Sequence, residues 1–177
     1  MPFLRGTSFN DELVRKAVTT FYNDKFEILL EETPPELRLI DLTGATKTDL
    51  GVEVERGGWT GDFWSNEKYC MLTNLPFKTI NIPIRKEKYW LDIYYFYGKM
   101  KTNPFSKSNV FVRSNKDFTQ MILIRPETIR NTKIAYRTKF QPNNSNEEEE
   151  WLSFKREHVE TYNLINGEWL LDKSYEL

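Results

Sequence analysis

One helix near the N-terminus followed by many short strands predicts an α/β domain of the α+β kind, built around a mixed central β-sheet. Three observations carry that expectation. Leu13, Val14, Ala17, Val18, Phe21 and Tyr22 recur on one helical stripe. Leu50, Val52 and Val54 alternate with Asp49, Gly51, Glu53 and Glu55, the two-residue period of a strand. Further short runs rich in β-branched and aromatic residues then follow, separated by Gly, Pro and Asn.

The helix is expected over 11–24, with Asn10 as its N-cap and Asp11 and Glu12 in the first turn. After a short apolar-centred segment, Glu27 to Glu32, Pro34-Pro35 breaks the chain. Leu37 to Leu42 reads as a strand and Thr43 to Thr48 as its turn. The acidic strand Asp49 to Glu55 is next, ended by Gly57-Gly58, and an aromatic loop runs from Trp59 to Trp64. Thr79 to Ile84 is a strand whose end carries the basic cluster Arg85-Lys86-Glu87-Lys88. Tyr89 to Tyr97, Asn109 to Arg113 and Phe118 to Ile124 are further strands, and Pro126 leads into a short helical turn over 127–131. Residues 142–150, PNNSNEEEE, read as a mobile acidic loop inserted in one domain spanning 1–177. Asn166-Gly167 marks a hairpin turn in the C-terminal segment.

Composition limits the chemistry. At 177 residues with 39% hydrophobic and 15% aromatic content, the chain has material for one packed core. A net charge of -1, from 25 basic against 26 acidic residues, means that nucleic-acid affinity has to come from a local basic patch. The single cysteine, Cys70, excludes an internal disulfide, and the single His158 removes most zinc and histidine-relay chemistries. Any metal is therefore expected on oxygen ligands. With no apolar run of about 18 residues and no signal-peptide pattern at the start, a soluble protein of the reducing cytoplasm, with no membrane partner, is expected.

Two carboxylates two residues apart on a strand face lie roughly 6 to 7 Å apart at Cα, within reach of one hard cation such as Mg²⁺ or Mn²⁺. Such a cation neutralises a scissile phosphate and acidifies an attacking water, the two needs of phosphodiester hydrolysis. The bland alternative is a solvated strand face that alternates acid and aliphatic.

Acids at Asp49, Glu53 and Glu55, an upstream helix carrying Glu12 and a basic strand end downstream resemble the PD-(D/E)XK nuclease superfamily. The resemblance covers residues 10 to 125. Asp49 matches the family's Asp, Glu53 its Asp/Glu, and Glu55 stands where Lys is usual. It implies a restriction-endonuclease-like fold, a Mg²⁺- or Mn²⁺-dependent endonuclease acting on DNA, and a metal held by Asp49, Glu53 and Glu55. Glu12 from the helix is a further ligand on that resemblance. The missing lysine leaves the attacking water without its orienting group. Lys86 at the end of the next strand is the first replacement and Lys47 the second.

A straight strand separates Asp49 and Glu53 by roughly 13 Å, too far to share a metal, so either Gly51 forms a bulge or Asp41 is the first acid. Arg85, Lys86 and Lys88 are candidate phosphate contacts and Trp59, with Trp64, a candidate stacking surface for an unpaired base. Each has a plainer alternative: a solvated strand end for the basic cluster, core or rim packing for the tryptophans. Two other functions stand beside the nuclease: a catalytically silent nucleic-acid-binding or protein-interaction module on the same fold, and a β-rich carbohydrate-binding or structural domain. A homodimer is allowed by the sequence but not specified by it.

Overall fold

The computed structural model describes residues 9–33, 40–45, 50–66, 78–140 and 149–173. Helix α1 (Phe9–Phe26) is longer at both ends than its apolar stripe predicts. The strands are β1 (Leu30–Glu32), β2 (Leu42–Gly44), β3 (Gly51–Arg56), β4 (Thr79–Pro83), β5 (Ile93–Phe96), β6 (Lys99–Thr102), β7 (Asn109–Ser114), β8 (Gln120–Ile124), β9 (Tyr136–Phe140), β10 (Glu149–Lys155), β11 (Glu160–Ile165) and β12 (Glu168–Leu171). A short helix α2 (Pro126–Ile129) follows β8, with Pro126 in its first turn, where a proline costs no hydrogen bond.

Seven strands form one mixed sheet in the order β1-β2-β3-β7-β8-β11-β12. All neighbours are antiparallel except β3 and β7, which run parallel from Gly51↔Asn109 to Arg56↔Ser114. Parallel neighbours need a crossover. Here the crossover holds β4, a 3-10 helix (Ile84–Trp90) and the β5–β6 hairpin. A second sheet, β4-β10-β9, is antiparallel throughout.

The central sheet is covered on both faces. Val14, Val18, Phe21 and Tyr22 of α1 pack on Val52, Val54, Val110, Val112, Met121 and Leu123, the residues of one face. On the other face Phe111, Ile122 and Ile124 meet Ile80 and Ile82 of β4 and Leu152 and Phe154 of β10. The molecule is thus layered as helix, large sheet, small sheet. Because side chains alternate along a strand, the even-numbered residues of β3 face α1 and the odd-numbered ones face the small sheet. The solvated-face reading of β3 therefore fails: its acidic side lies beneath another layer.

Several sequence expectations are revised. Glu149 and Glu150 are not loop residues but the first two residues of β10, paired with Phe140 and Lys139; the remainder of the 142–150 segment lies outside the described residues. Arg85 to Lys88 belong to the 3-10 helix, not to a strand end. The strand expected over Tyr89 to Tyr97 begins only at Ile93. Of Leu37 to Leu42, residues 37–39 lie outside the described residues and Leu42 opens β2. Gly51 keeps regular register with Thr43 on one side and Asn109 on the other, so it forms no bulge. The turn at Asn166-Gly167 is present, with both residues at positive φ (52° and 81°), the backbone of a type I′ hairpin.

Candidate functional site

Parallel pairing sets Glu53 beside Phe111 and Glu55 beside Arg113, so both glutamates and the arginine emerge on the face that meets the small sheet. From the opposite layer the chain leaves β4 and turns at once into the 3-10 helix, which carries Lys86 back over this face. Lys86 Nζ lies 3.4 Å from Glu53 Oε1 and 3.5 Å from Glu55 Oε2. Arg113 Nη2 lies 3.1 Å from Glu55 Oε1 and donates to the Asn81 carbonyl at 2.7 Å. The result is a row of alternating charge, Glu53, Lys86, Glu55 and Arg113, with no net charge of its own.

Burial grades along this row. The Glu53 side chain is 1% exposed, Lys86 18% and Glu55 36%. Desolvation alone would push the Glu55 carboxyl up. Arg113 and Lys86 act against it through charge and hydrogen bonds and prevail, leaving the carboxyl below its ordinary range. Glu55 is held as a carboxylate. Arg113 also stacks against Phe111, its guanidinium carbon 5.1 Å from the ring centroid, which fixes the fork in place.

The other predicted site residues separate into three groups. Asp41 is engaged by the β3 backbone: its N–H donates to the Val52 carbonyl at 3.2 Å and its Oδ2 accepts the Val54 N–H at 2.9 Å. Asp49 and Lys47 lie outside the described residues, as does Cys70. Glu12 does not join the row. It is exposed on α1, which packs on the Val52 and Val54 side, so the central sheet stands between it and the two glutamates. Among the described residues no group of three or more His, Cys, Asp or Glu is arranged to hold a metal ion.

The basic cluster divides as well. Arg85 is exposed and reaches Glu149 at 3.6 Å, Lys88 is exposed near the Tyr89 ring, and only Lys86 turns inward. His158, half-buried, lies 3.8 Å from Glu157, far along the chain from the row.

Trp59 is not a stacking surface. It is 2% exposed in the second core, and its ring lies so close over Gly57 that a Cβ there would stand 1.7 Å from it. Its indole N–H donates to Gln120 Oε1 at 3.1 Å. Gln120 also accepts the Phe63 N–H and donates to Asp62 and Asn163, filling its hydrogen-bonding capacity and pinning the aromatic loop to the sheet. Trp64 is tied to Thr161 Oγ1 at 2.9 Å.

Arg113 is the member of the row that no sequence motif singles out. Its signal was present, since Val110 and Val112 alternate with Phe111 and Arg113, but nothing local says that this strand pairs with β3 in parallel. A surface cavity of about 550 Å³, lined by Trp90, Ile129, Ala135 and Leu152 among others, opens on other ground and includes none of the four charged residues.

Comparison with known proteins gives no match: no family model, no curated protein and no solved structure matches the chain. Among the described residues no helix is long and apolar enough to cross a membrane.

Proposed function

We propose that the chain is a divalent-metal-dependent endonuclease acting on DNA, with Glu53, Glu55 and Lys86 at its centre. The observation that carries this reading is the convergence of Lys86 on the Glu-x-Glu pair from an element 33 residues away. It gives the pair a lysine beside it, the one group the resemblance to PD-(D/E)XK nucleases lacks in sequence. Oxygen donors on a rigid central strand suit a hard cation, which usually takes one or two carboxylates and fills its remaining positions with water and substrate oxygen. Glu53 and Glu55 would hold it; with Gly51 in regular register, the roughly 13 Å that a straight strand puts between Asp49 and Glu53 leaves Asp49 outside such a site. Mg²⁺ or Mn²⁺ would supply charge neutralisation at the phosphate and activation of the attacking water.

The chain's own residues do the rest. Glu55, kept ionised by Arg113 and Lys86, is available as an anionic oxygen donor to a cation at neutral pH. Lys86 would orient water or contact a phosphate oxygen by giving up one of its two carboxylate partners. Arg85 and Lys88, both exposed on the same 3-10 helix, are the phosphate contacts this reading assigns.

A second reading, a catalytically silent nucleic-acid-binding module, is favoured by one observation: Arg113 and Lys86 already satisfy Glu55. Plasmid and single-stranded DNA incubated with Mg²⁺, Mn²⁺ or EDTA decide between the two. On the nuclease reading cleavage needs metal, Glu53→Gln abolishes it together with Mn²⁺ binding measured by calorimetry, and Lys86→Ala lowers the rate by about two orders of magnitude. Glu12→Gln leaves it unchanged. DNA binding without cleavage in any metal, and no Glu53-dependent Mn²⁺ affinity, would establish the silent module instead.

A further inference from the structure

The β5–β6 hairpin buries almost nothing of itself. It forms a separate two-stranded sheet, and Ile93, Tyr95, Phe96, Tyr97 and Met100 are all exposed, Tyr95 at 72% and Tyr97 at 91%. A lone hairpin in water is marginal. This one is instead held at its base. The Asn103 N–H donates to the Asp92 carbonyl at 2.9 Å, and the buried Asn103 side chain donates to the Tyr89 and Lys88 carbonyls. Asp92 in turn accepts Ser106 Oγ at 2.5 Å and Arg130 Nη1 at 3.1 Å, bonds that hold its carboxyl below the usual range. A rigid clamp thus presents an otherwise unsupported aromatic finger.

Its two faces differ. Tyr94 pairs with Lys101 and Phe96 with Lys99, so rings and ammonium groups share one face; Tyr95 with Met100 and Ile93 with Thr102 make the other. Residues 93–112 contain Lys99, Lys101 and Lys107 and no Asp or Glu, in a chain whose net charge is -1. Cationic charge has been segregated onto the finger and the segment that follows it. Rings that can stack on any base, each with a cation across the ladder to meet a phosphate, are the chemistry that single-stranded nucleic acid requires.

We infer that the β5–β6 hairpin is a binding finger for unpaired nucleic acid, with Tyr94, Phe96, Lys99 and Lys101 as its contact face. The inference rests on the reading above for the class of partner and not for cleavage. It leaves the 3-10 helix at the end opposite to β4, so a strand stacked on the finger is tethered to the element that bears Lys86.

Fluorescence anisotropy with a labelled oligothymidylate, in EDTA so that cleavage plays no part, tests it against a blunt duplex of the same length. The full chain should bind the single strand more tightly than the duplex, with an affinity that falls as salt rises. Phe96→Ala and Tyr94→Ala should each weaken binding about tenfold. Lys99→Gln with Lys101→Gln should reduce the slope of log affinity against log salt by about 1 to 2. Tyr95→Ala and Met100→Ala, on the other face, should change neither. Equal affinity for duplex and single strand, or equal losses from both faces, overturns the inference. So does a shift to a smaller species in size-exclusion chromatography for Tyr95→Ala, since the finger would then be an interface between copies. Cleavage lost while these binding results hold would refute the nuclease and keep the finger.

Discussion

Two regions invert the usual distribution of residues between inside and outside. Beneath the small sheet, four charged side chains are packed where apolar ones would be cheaper; on the β5–β6 hairpin, aromatic rings stand in water where lysines would be cheaper. Stability explains neither. Burying an ion pair gains little over packed hydrocarbon even when its geometry is good, and exposed aromatics on a free hairpin add no core. Yet the two deviate in opposite senses. The charged row is over-determined, each member fixed by a neighbour on another strand or layer, while the finger is determined only at its base. Rigid placement is what a reacting centre requires, and accessible, adaptable surface is what a docking element requires.

The largest effect expected from this contrast is in the row. Lys86→Met takes a cation from a carboxylate that is 1% exposed, and should cost about 3 kcal/mol in urea denaturation. Adding Glu53→Gln removes the charge that was left behind, so the double variant should recover part of the loss, with a coupling on the order of 1 to 3 kcal/mol. Additive losses would mean that the two side chains are neighbours without being partners.

The pH dependence is a smaller and more specific probe. Glu55 has a folded-state pKa below its unfolded value because Arg113 and Lys86 outweigh its desolvation. A depressed carboxylate adds stability that is fully present above the ordinary range, about 4.3, and is lost as pH falls through the folded value. Acidification from pH 6 to pH 3 should therefore lower the urea midpoint of the native chain more than that of Glu55→Gln. Part of the acid loss remains in the variant, since Glu160, bound by Arg125 through both oxygens and by the Tyr162 hydroxyl, is depressed in the same sense after desolvation is offset. Identical acid sensitivity in the two proteins would contradict the coupling drawn for Glu55.

What could be read in the chain beforehand was the part governed by local periodicity. The α1 stripe, the alternation of β3, the apolar run of β8 and the Asn166-Gly167 turn each follow from spacing alone. Lys86 was a candidate because it closes the next strand, but that it reaches Glu53 depends on β4 lying in a different layer. Of the two readings of Trp59 the structure takes core packing, and what fixes it there is Gln120, 61 residues on, which no pattern near Trp59 announces. Glu149 and Glu150 read as solvent-loving loop because the arginines that accompany them, Arg85 and Arg137, come from the 3-10 helix and from β9. The finger was half legible: its β-rich composition showed, but its turn did not, because tyrosine is a poor signal for the conformation it adopts there.

That turn supplies the smallest and most local prediction. Tyr97-Gly98 and Asn166-Gly167 close their hairpins with nearly the same backbone, φ 50° and 74° against 52° and 81°. A left-handed conformation costs an ordinary side chain about 1 kcal/mol or more, and asparagine less because its short amide bonds locally. Tyr97→Asn should therefore raise the amide-exchange protection of residues 99–102 severalfold. The global melting temperature should stay where it is, since the β5–β6 ladder adds nothing to either core. The converse change, Asn166→Tyr, acts on a hairpin whose β11 pairs with both β8 and β12, and should lower global stability by up to about 1 kcal/mol. Should Tyr97→Asn shift the global transition as far as Asn166→Tyr does, the finger is coupled to the fold and its exposed rings have a structural role. With the transition unmoved, a tyrosine kept at that strained and 91% exposed position has its reason outside the folded chain, in what the finger touches.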